Sequence, residues 1–349
     1  MPLGLQTAQL NFETIKDIGQ EGRNSSVFIA HDKQLDGQIV VKQIEKAKLS
    51  NPSEYYREAK ILYASSHPFV VGVNYGCSDN DNIYIAMPYY KNGSLKSSMD
   101  RQHLTIREVI RYSIQFLSGL NNIHSKGLMH FDVKPDNILL SDSNEALLSD
   151  FGLAKAMDNL GFASPDKVYA KQMPPEVFAN TDKTIQFDIY LAGLTIYRLL
   201  NGNNHYYAQC SFPNQAAQIK AIQTGNFPDR NAYLPHVPLK LQRVINKALN
   251  VNIKDRHKNV LELINELSDI DENLDWRYEK NGAVTTYVKD LNDRTYQIQL
   301  DSSNINNPLL SSTKTMKASG NSTKINSHSH NNLTKNNVLS KLKKALKEI

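Results

Sequence analysis

The stretch from His124 to Gly152 constrains the fold of this 349-residue chain more than any other feature. It reads HSKGLMHFDVKPDNILLSDSNEALLSDFG. Asp132 and Asn137 precede the apolar run ILL, and Asp150 follows the apolar run ALL after one serine. Short apolar runs bounded by turn residues predict strands, here two strands joined as a hairpin. Three polar side chains are therefore expected on these strands and their loops.

Asp132, Asn137 and Asp150 have the residue types that phosphoryl transfer requires. That reaction needs a carboxylate to orient or deprotonate the attacking hydroxyl, and a second carboxylate with an amide oxygen to hold Mg²⁺ at the phosphates. Asp-Phe-Gly by itself is also an ordinary turn after an apolar strand. The joint spacing of His, Asp, Lys, Pro and Asn followed by DFG is far more specific.

The stretch resembles the catalytic core of the eukaryotic-type (Hanks-type) protein kinases, which reads H-R-D-L-x-x-x-N followed by D-F-G. The resemblance covers residues 12–270. It implies an α+β, two-lobed protein kinase fold, with a small lobe of antiparallel sheet plus one helix and a large, mainly helical lobe. The implied roles are catalysis for Asp132, Lys134 and Asn137, metal binding for Asn137 and Asp150, and structural support for His130 and Phe151.

Three β-rich segments separated by turn residues occupy residues 12–44 and predict an antiparallel sheet. The first turn, with Gly19 and Gly22, resembles the kinase glycine-rich loop, whose backbone covers the ATP phosphates. One residue is inserted there and Ser25 replaces the third glycine, so a plain hairpin turn is the alternative. Lys42 ends the strand IVVK, which resembles V-A-I-K, and the resemblance implies that it contacts the α- and β-phosphates.

Two segments with helical spacing follow. The first, PSEYYREAKILYAS, contains Glu58, the implied partner of Lys42, and Glu54 competes for that role from one turn earlier. Lys42 needs a partner because an unpaired ammonium in an apolar cleft would lose its charge or destabilise the fold. The second, residues 104–125, is predicted to be a core helix that anchors the opening stretch.

The apolar strand IYIAMP runs into a polar turn, the expected hinge between the lobes. The resemblance implies that Met87 lies behind the adenine, that the Pro88 carbonyl accepts from the adenine amine and that the Tyr90 N–H donates to the ring. Proline is tolerable at 88 because only its carbonyl is needed there. The other residues expected around ATP are Val27, Val40 and Leu139.

A polar segment of loop length follows Gly152 and ends at MPPE, which resembles A-P-E and puts Glu176 in the glutamate position. The apolar helix QFDIYLAGLTIYRLLNG resembles D-x-W-S-x-G, so Asp188 is the implied anchor of the catalytic loop. Arg256 is the implied partner of Glu176. An Arg–carboxylate pair of this kind is bidentate, and it is costly to break when buried.

Phe131 occupies the place of the arginine in H-R-D, which makes the chain a non-RD variant. In the family that arginine usually pairs with a phosphorylated residue of the activation segment. Its absence predicts a kinase that is competent without that phosphate, although Ser164 and Tyr169 remain candidate phosphorylation sites. Lys134 favours serine/threonine specificity, whereas Tyr169, near the position of a family threonine, argues against it.

The C-terminal region lies outside the resemblance. An Asn-Gly turn between alternating runs predicts a small β meander, and an Asn-, Ser- and Lys-rich stretch predicts a disordered linker. The final segment predicts a basic amphipathic helix for an anionic membrane or a partner's groove, with a marginal helix in a tail as the alternative. The predicted divisions are a lead (1–11), the two lobes (12–90 and 91–270), the meander (271–300), the linker (301–337) and the helix (338–349).

Charge argues against a nucleic-acid partner. Residues 311–349 hold eight of the 40 basic and one of the 35 acidic residues, which leaves the rest of the chain at −2. The sequence has no run of 18 apolar residues and no secretory or myristoylation signal at its start. With Cys77 and Cys210 in no metal-ligand spacing, the prediction is a cytoplasmic protein, or one peripheral to a membrane through its C-terminal helix.

The predicted function is ATP-dependent transfer of the γ-phosphate to serine or threonine hydroxyls of proteins, including this chain, with Mg²⁺ or Mn²⁺. An ATP-binding pseudokinase scaffold is one alternative, supported by the irregular glycine-rich loop and Phe131, and opposed by the intact catalytic set. A small-molecule phosphotransferase of related fold is another. The activation segment closed by Pro-Glu, the helix with Asp188 and the partner Arg256 argue against it. The oligomeric state stays open.

Overall fold

The computed structural model describes residues 10–19, 25–48, 56–164, 173–178, 183–331 and 333–349, without the side chains of Arg57 and Glu58. Within these residues, no helix is both long enough and apolar enough to cross a bilayer. The described chain forms two lobes and then a C-terminal unit of sheet and helix.

The N-terminal lobe is an antiparallel five-stranded sheet in the order β1-β2-β3-β5-β4. One helix, α1 (Arg57–Ala64), stands between the third and fourth strands in the chain. Residues 52–55 of the predicted helix lie outside the described residues. The strands are β1 Phe12–Gly19, β2 Ser25–Asp32, β3 Gly37–Glu45, β4 Tyr75–Ser78 and β5 Asn82–Pro88.

The pairing register divides this sheet into two faces. Residues directly opposite each other on paired strands point to the same side of a sheet. Val27 lies opposite Lys42, and Val40 lies opposite both Ile29 and Met87, so these residues share one face. The other face carries the lobe's own buried cluster, Phe28, Ala30, Ile39, Val41 and Ala86.

The C-terminal lobe is mainly helical, with four short strands near its junction with the first lobe. Its helices are α2 Leu95–Arg101, α3 Ile106–Ser125, α4 Gln186–Asn201, α5 Asn203–Ala208, α6 Gln215–Gln223, α7 Leu239–Ala248 and α8 Val260–Ser268. Its strands are β6 Leu128–Met129, β7 Ile138–Leu140, β8 Ala146–Leu148 and β9 Lys155–Ala156, paired as β6–β9 and β7–β8.

Two helices form the frame of this lobe. α3 begins with a capping box, in which Thr105 and Glu108 each satisfy a backbone N–H of the other. Its apolar stripe packs in the main core, as the spacing over residues 104–125 predicts. α4 is buried on all sides from Phe187 to its last residue, because its sequence is apolar around most of its circumference.

The C-terminal unit differs from its prediction. Residues 277–324 form a five-stranded antiparallel sheet in the order β10-β11-β12-β13-β14, and not a meander of three strands ending at 300. The prediction of a disordered linker over 301–337 is therefore wrong. The strands are β10 Arg277–Asn281, β11 Val284–Asp290, β12 Arg294–Asp301, β13 Leu309–Met316 and β14 Ser322–Lys324.

A last helix, α9 (Val338–Glu348), covers the inner face of this sheet. Leu342, Ala345 and Leu346 are buried in one cluster with Trp276, whose indole N–H donates to the Leu346 carbonyl at 2.9 Å. The groove that receives the apolar face of this amphipathic helix thus belongs to the same chain.

Direct bonds attach the C-terminal unit to the helical lobe. The Arg107 guanidinium makes two hydrogen bonds to the Asp275 carboxylate, at 2.6 and 3.0 Å. The Arg107 N–H also donates to the Leu274 carbonyl at 2.9 Å. The Tyr278 ring of β10 meets the His103 ring edge-on at 4.6 Å. The unit is therefore packed against the lobe at the N-terminal end of α3.

Candidate active site

The loop 130–137 is anchored by one buried carboxylate from α4. Asp188 accepts hydrogen bonds from the N–H groups of His130 and Phe131, both at 2.8 Å, and its Oδ2 lies 2.8 Å from His124 Nε2. Burial opposes ionisation, yet His124 and the bonded N–H groups hold the pKa of Asp188 below the ordinary aspartate value. The carboxylate that the sequence proposed as an anchor is thus bonded to this loop.

Phe131 is held in a conformation that few non-glycine residues adopt, with φ of 65°. Its ring is buried and meets the Phe187 ring edge-on at 5.2 Å. The Asp188 bond to its N–H and this packing together hold the strained backbone. Position 131 therefore presents no cationic side chain and contributes to the core.

His130 and Phe151 link the loop to the DFG segment. His130 Nδ1 accepts from the Asp132 N–H at 3.2 Å, so its other nitrogen, Nε2, carries the proton and donates to the Ser149 carbonyl at 3.0 Å. The buried Phe151 ring contacts the His130 ring edge-on at 4.9 Å. These contacts connect the loop to the DFG segment, and a structural role for both residues stays a prediction.

The Asp132 carboxylate is held between a cation and an amide. Lys134 Nζ donates to Asp132 Oδ2 at 2.7 Å, and Asn137 Nδ2 donates to the same oxygen at 2.8 Å. Asn137 Nδ2 also reaches the Asp132 carbonyl at 3.0 Å. Burial raises the pKa of Asp132 above the ordinary value, although Lys134 pulls it down. The arrangement yields an oriented carboxylate with enhanced basicity.

Asp150 lies opposite Lys42 across the junction of the lobes. Lys42 Nζ lies 3.4 Å from Asp150 Oδ1, which also accepts from the Gly152 N–H at 3.2 Å. Burial alone would raise the pKa of Asp150, but the Lys42 charge and the Gly152 bond outweigh it and place the pKa below the ordinary value. Asp150 is therefore the carboxylate that stays anionic, while Asp132 is the more basic one.

The oxygen atoms near Asp150 suit a hard divalent cation. Asn137 Nδ2 lies 3.5 Å from Asp150 Oδ2, and within the described chain no donor bonds Asn137 Oδ1. A carboxylate and a free amide oxygen are ligands that Mg²⁺ accepts, with phosphates and water completing its shell. No cluster of three or more His, Cys, Asp or Glu side chains suited to a metal occurs in the described residues.

Three of the other residues expected around ATP lie on the sheet face that carries Lys42. Val27, Val40 and Met87 share that face by register, and Pro88 ends β5 just before Tyr90. Leu139 is half-buried in β7 between two buried neighbours, which points it away from the core of its lobe. Gly19 ends β1.

Several predicted residues cannot be placed. Gly22, Glu54 and Tyr169 lie outside the described residues, and so does the Glu58 side chain, so the partner of Lys42 on α1 stays a prediction. Ser164 is exposed next to Ala163, whose backbone pairs with that of Lys183 at 2.8 and 2.9 Å.

Glu176 and Arg256 form the pair that the sequence suggested. Two parallel hydrogen bonds of 2.7 Å join the guanidinium to the carboxylate, and both side chains are buried. Arg256 also donates to the carbonyls of Gln186 and Asn250, at 2.8 and 2.7 Å. The pair therefore ties the end of the activation segment to the start of α4 and to the loop after α7.

Sequence reasoning missed three supporting residues. Thr195 Oγ1 donates to the Val133 carbonyl at 3.1 Å, and His124 contacts Asp188. Arg198, also buried in α4, has a guanidinium nitrogen 3.9 Å from Asp136 Oδ2. Thr195 and Arg198 lie seven and ten residues after Asp188 in the same apolar helix. Polar residues that share a helix face with Asp188 were the sequence signal that could have identified them.

Comparison with known proteins identifies this arrangement. The family model described as the protein kinase domain matches residues 12–266. The chain belongs to the protein kinase family. The two-lobed α+β architecture of its kinase domain agrees with the fold predicted from the sequence.

The chain is similar to several bacterial kinases. It is 27% identical over 266 residues to the protein named probable serine/threonine-protein kinase PknB of Lactococcus lactis. This alignment covers 74% of the present chain and 41% of that protein. The chain is 27% identical over 321 residues to serine/threonine-protein kinase PknD of Protochlamydia amoebophila, covering 82% and 32%. For PknD of Chlamydia muridarum the identity is 28% over 294 residues, covering 72% and 30%. The chain thus spans less than half the length of these relatives.

Proposed function

We propose that this chain is an ATP-dependent protein kinase that transfers the γ-phosphate of ATP to serine and threonine hydroxyls of proteins, its own included. One observation carries the proposal: Asp132, Lys134, Asn137, Asp150 and Lys42 form one connected set of polar contacts between the lobes. The printed names of the relatives support the serine/threonine specificity.

In this mechanism the two aspartates have separate tasks because burial and neighbouring charges move their pKa values apart. Asp132, with the raised pKa, orients the substrate hydroxyl and accepts its proton. Asp150, with the lowered pKa, stays anionic as a metal ligand. Lys134 lies beside Asp132 and offsets negative charge on the phosphoryl group during transfer.

We also propose how the chain holds its cofactors. Asn137 Oδ1 and the Asp150 carboxylate hold Mg²⁺, or Mn²⁺ in its place, which neutralises phosphate charge when bound. Lys42 binds the α- and β-phosphates, and Val27, Val40, Met87 and Leu139 enclose the adenine. The peptide groups of Pro88 and Tyr90 bind the adenine edge, and Gly19 and Gly22 belong to the loop over the phosphates.

The test is transfer of radiolabel from ATP to dephosphorylated casein and to the chain itself, with phosphoamino-acid analysis of the product. Asp132→Asn should reduce turnover by about 10² to 10⁴-fold while ATP binding persists. Asp150→Asn should abolish transfer and weaken metal-dependent ATP binding. Asp142→Asn, at an exposed position of the β7–β8 turn, is the matched control.

The outcomes separate this proposal from its alternatives. ATP binding without label on any protein would favour a scaffold. Label on a small-molecule acceptor alone would favour the small-molecule phosphotransferase. Label on phosphotyrosine alone would contradict the serine/threonine assignment.

The packing of Phe131 supports a kinase that needs no phosphate in its activation segment. At the position of the H-R-D arginine, which would pair with such a phosphate, an apolar ring is buried in the core. Enzyme treated with phosphatase should keep its activity, and Ser164→Ala and Tyr169→Phe should match the wild type. Loss of activity on dephosphorylation, restored by Ser164→Asp, would overturn this part of the proposal.

We place the lobe boundaries at residues 12–90 and 91–270, and we expect a cytoplasmic protein with protein substrates. The C-terminal helix is less suited to a membrane than its sequence suggests, because its apolar face covers the sheet. A peripheral role would require α9 to leave the sheet or to use its exposed lysines alone. If the full chain does not sediment with anionic liposomes, a peripheral membrane role is excluded.

A further inference from the structure

A cavity of about 150 Å³ lies between the C-terminal sheet and the start of α9. Its floor consists of two cross-strand rows on the inner face of the sheet. In one row Tyr278 lies opposite Tyr287, and in the other Lys280 lies opposite Thr285, which lies opposite Leu300. Because directly opposite residues share a face, all five side chains point towards the helix.

The roof is the first part of α9, through Val338, Leu339 and Leu342, and Pro235 of the helical lobe closes one side. The helix is buried against the sheet from its second turn onwards, at Leu342, Ala345 and Leu346. Leu339 is 48% exposed, so the first turn leaves this corner of the sheet open. The cavity is therefore mainly apolar and accessible from solvent.

Its walls hold polar atoms that the protein leaves without partners. Tyr287 is 1% exposed, yet among the described residues nothing bonds its hydroxyl, and the same holds for the hydroxyl of Tyr278. The fully enclosed atoms without partners include both ring nitrogens of His236 but neither hydroxyl, so the hydroxyls reach accessible space. Tyr278 itself is half-buried. Two hydroxyl groups that reach open space at one cavity are available to bond a ligand.

The one charged side chain that lines this cavity is positive. Lys280 lies at its rim with no ion pair in the part of the chain that the structure describes, and Thr285 places a hydroxyl beside it. None of the residues that line the cavity is acidic. The cavity therefore suits a ligand with an apolar body and an anionic head.

We propose that this cavity binds a small aromatic carboxylate. A protein cavity of about 150 Å³ is large enough to hold a benzene ring. The ring would lie among the tyrosine rings, Leu300 and Leu342, where a few convergent polar groups in an apolar pocket fix its orientation. The carboxylate would accept hydrogen bonds from Lys280 and from the tyrosine hydroxyls. The proposal is independent of the kinase activity.

Isothermal titration of the full chain with benzoate tests the proposal, with benzyl alcohol as the uncharged counterpart. Benzoate should bind saturably at one site. Lys280→Met should weaken benzoate binding about tenfold or more, the loss expected for a hydrogen bond to a charged group, and should leave benzyl alcohol unaffected. Lys343→Met, which removes an exposed lysine from α9, is the matched control and should bind benzoate as the wild type does.

A second pair of variants tests the location. Thr285→Phe should fill the cavity and abolish benzoate binding, whereas Thr286→Phe, on the opposite face of the same strand, should not. Absence of saturable benzoate binding to the wild type overturns the proposal. Equal affinities in Lys280→Met and Lys343→Met also overturn it, and this lysine pair decides the matter if Thr285→Phe does not fold.

Discussion

At the scale of single residues, the central feature is a pair of carboxylates with opposite pKa shifts. Asp132 and Asp150 lie in one site, yet burial raises the pKa of the first, and Lys42 together with the Gly152 N–H lowers that of the second. Lys134 moderates the shift at Asp132 through a bond of 2.7 Å. Removal of this one cation should therefore be visible as a change in the dependence of activity on pH.

We expect Lys134→Met to lower turnover and to move the acid limb of the pH profile to higher pH. In the proposed mechanism Asp132 acts as a base in its deprotonated form, so activity should fall as the pH drops through its pKa. Loss of the Lys134 charge raises that pKa further, since this charge lowers it in the wild type. The measurement is kcat against pH with saturating substrates.

The matched control for Lys134 is Lys220→Met, at an exposed position of α6, which should keep the wild-type profile. An acid limb that stays in place in Lys134→Met would contradict the assignment of Asp132 as the titrating base.

At the scale of elements, α3 and α4 act as the frame that fixes the catalytic loop. α4 supplies Asp188, which bonds two consecutive N–H groups of the loop, and Thr195, which bonds the Val133 carbonyl. α3 supplies His124, and at Gly119 it lies against the backbone of Phe69 in the segment after α1. Each helix should therefore have one position at which a small change has a large effect.

Asp188→Asn should lower the free energy of unfolding by about 2 to 5 kcal/mol at pH 7 and reduce turnover. The amide cannot accept from two N–H groups and His124 as the carboxylate does, which leaves buried donors without partners. Urea denaturation at a series of pH values measures the difference from the wild type.

The pH dependence of this difference has a definite sign. The folded pKa of Asp188 lies below 3.8, so its contribution to stability is complete above that value and is lost as the pH falls through the folded pKa. Asp142→Asn should show little change. A difference between Asp188→Asn and the wild type that vanishes already near neutral pH would contradict the role of the carboxylate.

Gly119→Ala should destabilise the protein by about 1 to 3 kcal/mol, although alanine is the better helix former by about 1 kcal/mol. An added Cβ would lie 2.4 Å from the Phe69 carbonyl oxygen, which is backbone and accepts from the Leu148 N–H. Equilibrium denaturation compares it with Ser118→Ala, because among the described residues the Ser118 hydroxyl bonds only within its own helix. Equal stabilities of the two variants would show that the helix can move away from Phe69.

At the scale of the whole molecule, the C-terminal unit contains a natural fluorescent probe of its own packing. Trp276 is the one tryptophan of the chain, and it is fully buried beneath α9. Its indole donates to Leu346, and the preceding residue, Asp275, pairs with Arg107 of the helical lobe. Intrinsic fluorescence therefore reports on the docking of α9 to the sheet.

Leu346→Ala should cost about 2 to 5 kcal/mol in the unit that contains Trp276, because the side chain is removed from a buried cluster. The transition of tryptophan emission should move to lower denaturant concentration. Leu339→Ala makes the same chemical change at a half-exposed position of the same helix and should shift the transition far less. Coincident transitions in the two variants would contradict the docking.

The sequence alone was enough to predict the chemistry proposed for this protein, because most of the residues that carry it lie close together in the chain. Asp132, Lys134 and Asn137 occupy one loop, and strand and turn signals on either side of them are local. Long-range packing decided the rest. The bond from Asp188 to the loop, the strained backbone of Phe131 and the opposite pKa shifts of two aspartates all depend on contacts between distant segments.

The C-terminal unit shows most clearly that local sequence signals do not predict long-range packing. Composition made 301–337 look disordered, but a strand needs apolar residues on only one of its faces. In β13, Leu310 is buried on that face next to Ser312, whose hydroxyl donates to the His328 carbonyl at 2.9 Å. A polar residue can be buried there because its partner, 16 residues away, satisfies it. Only the tertiary structure could supply that partner, and the apolar face of α9 closes the cluster.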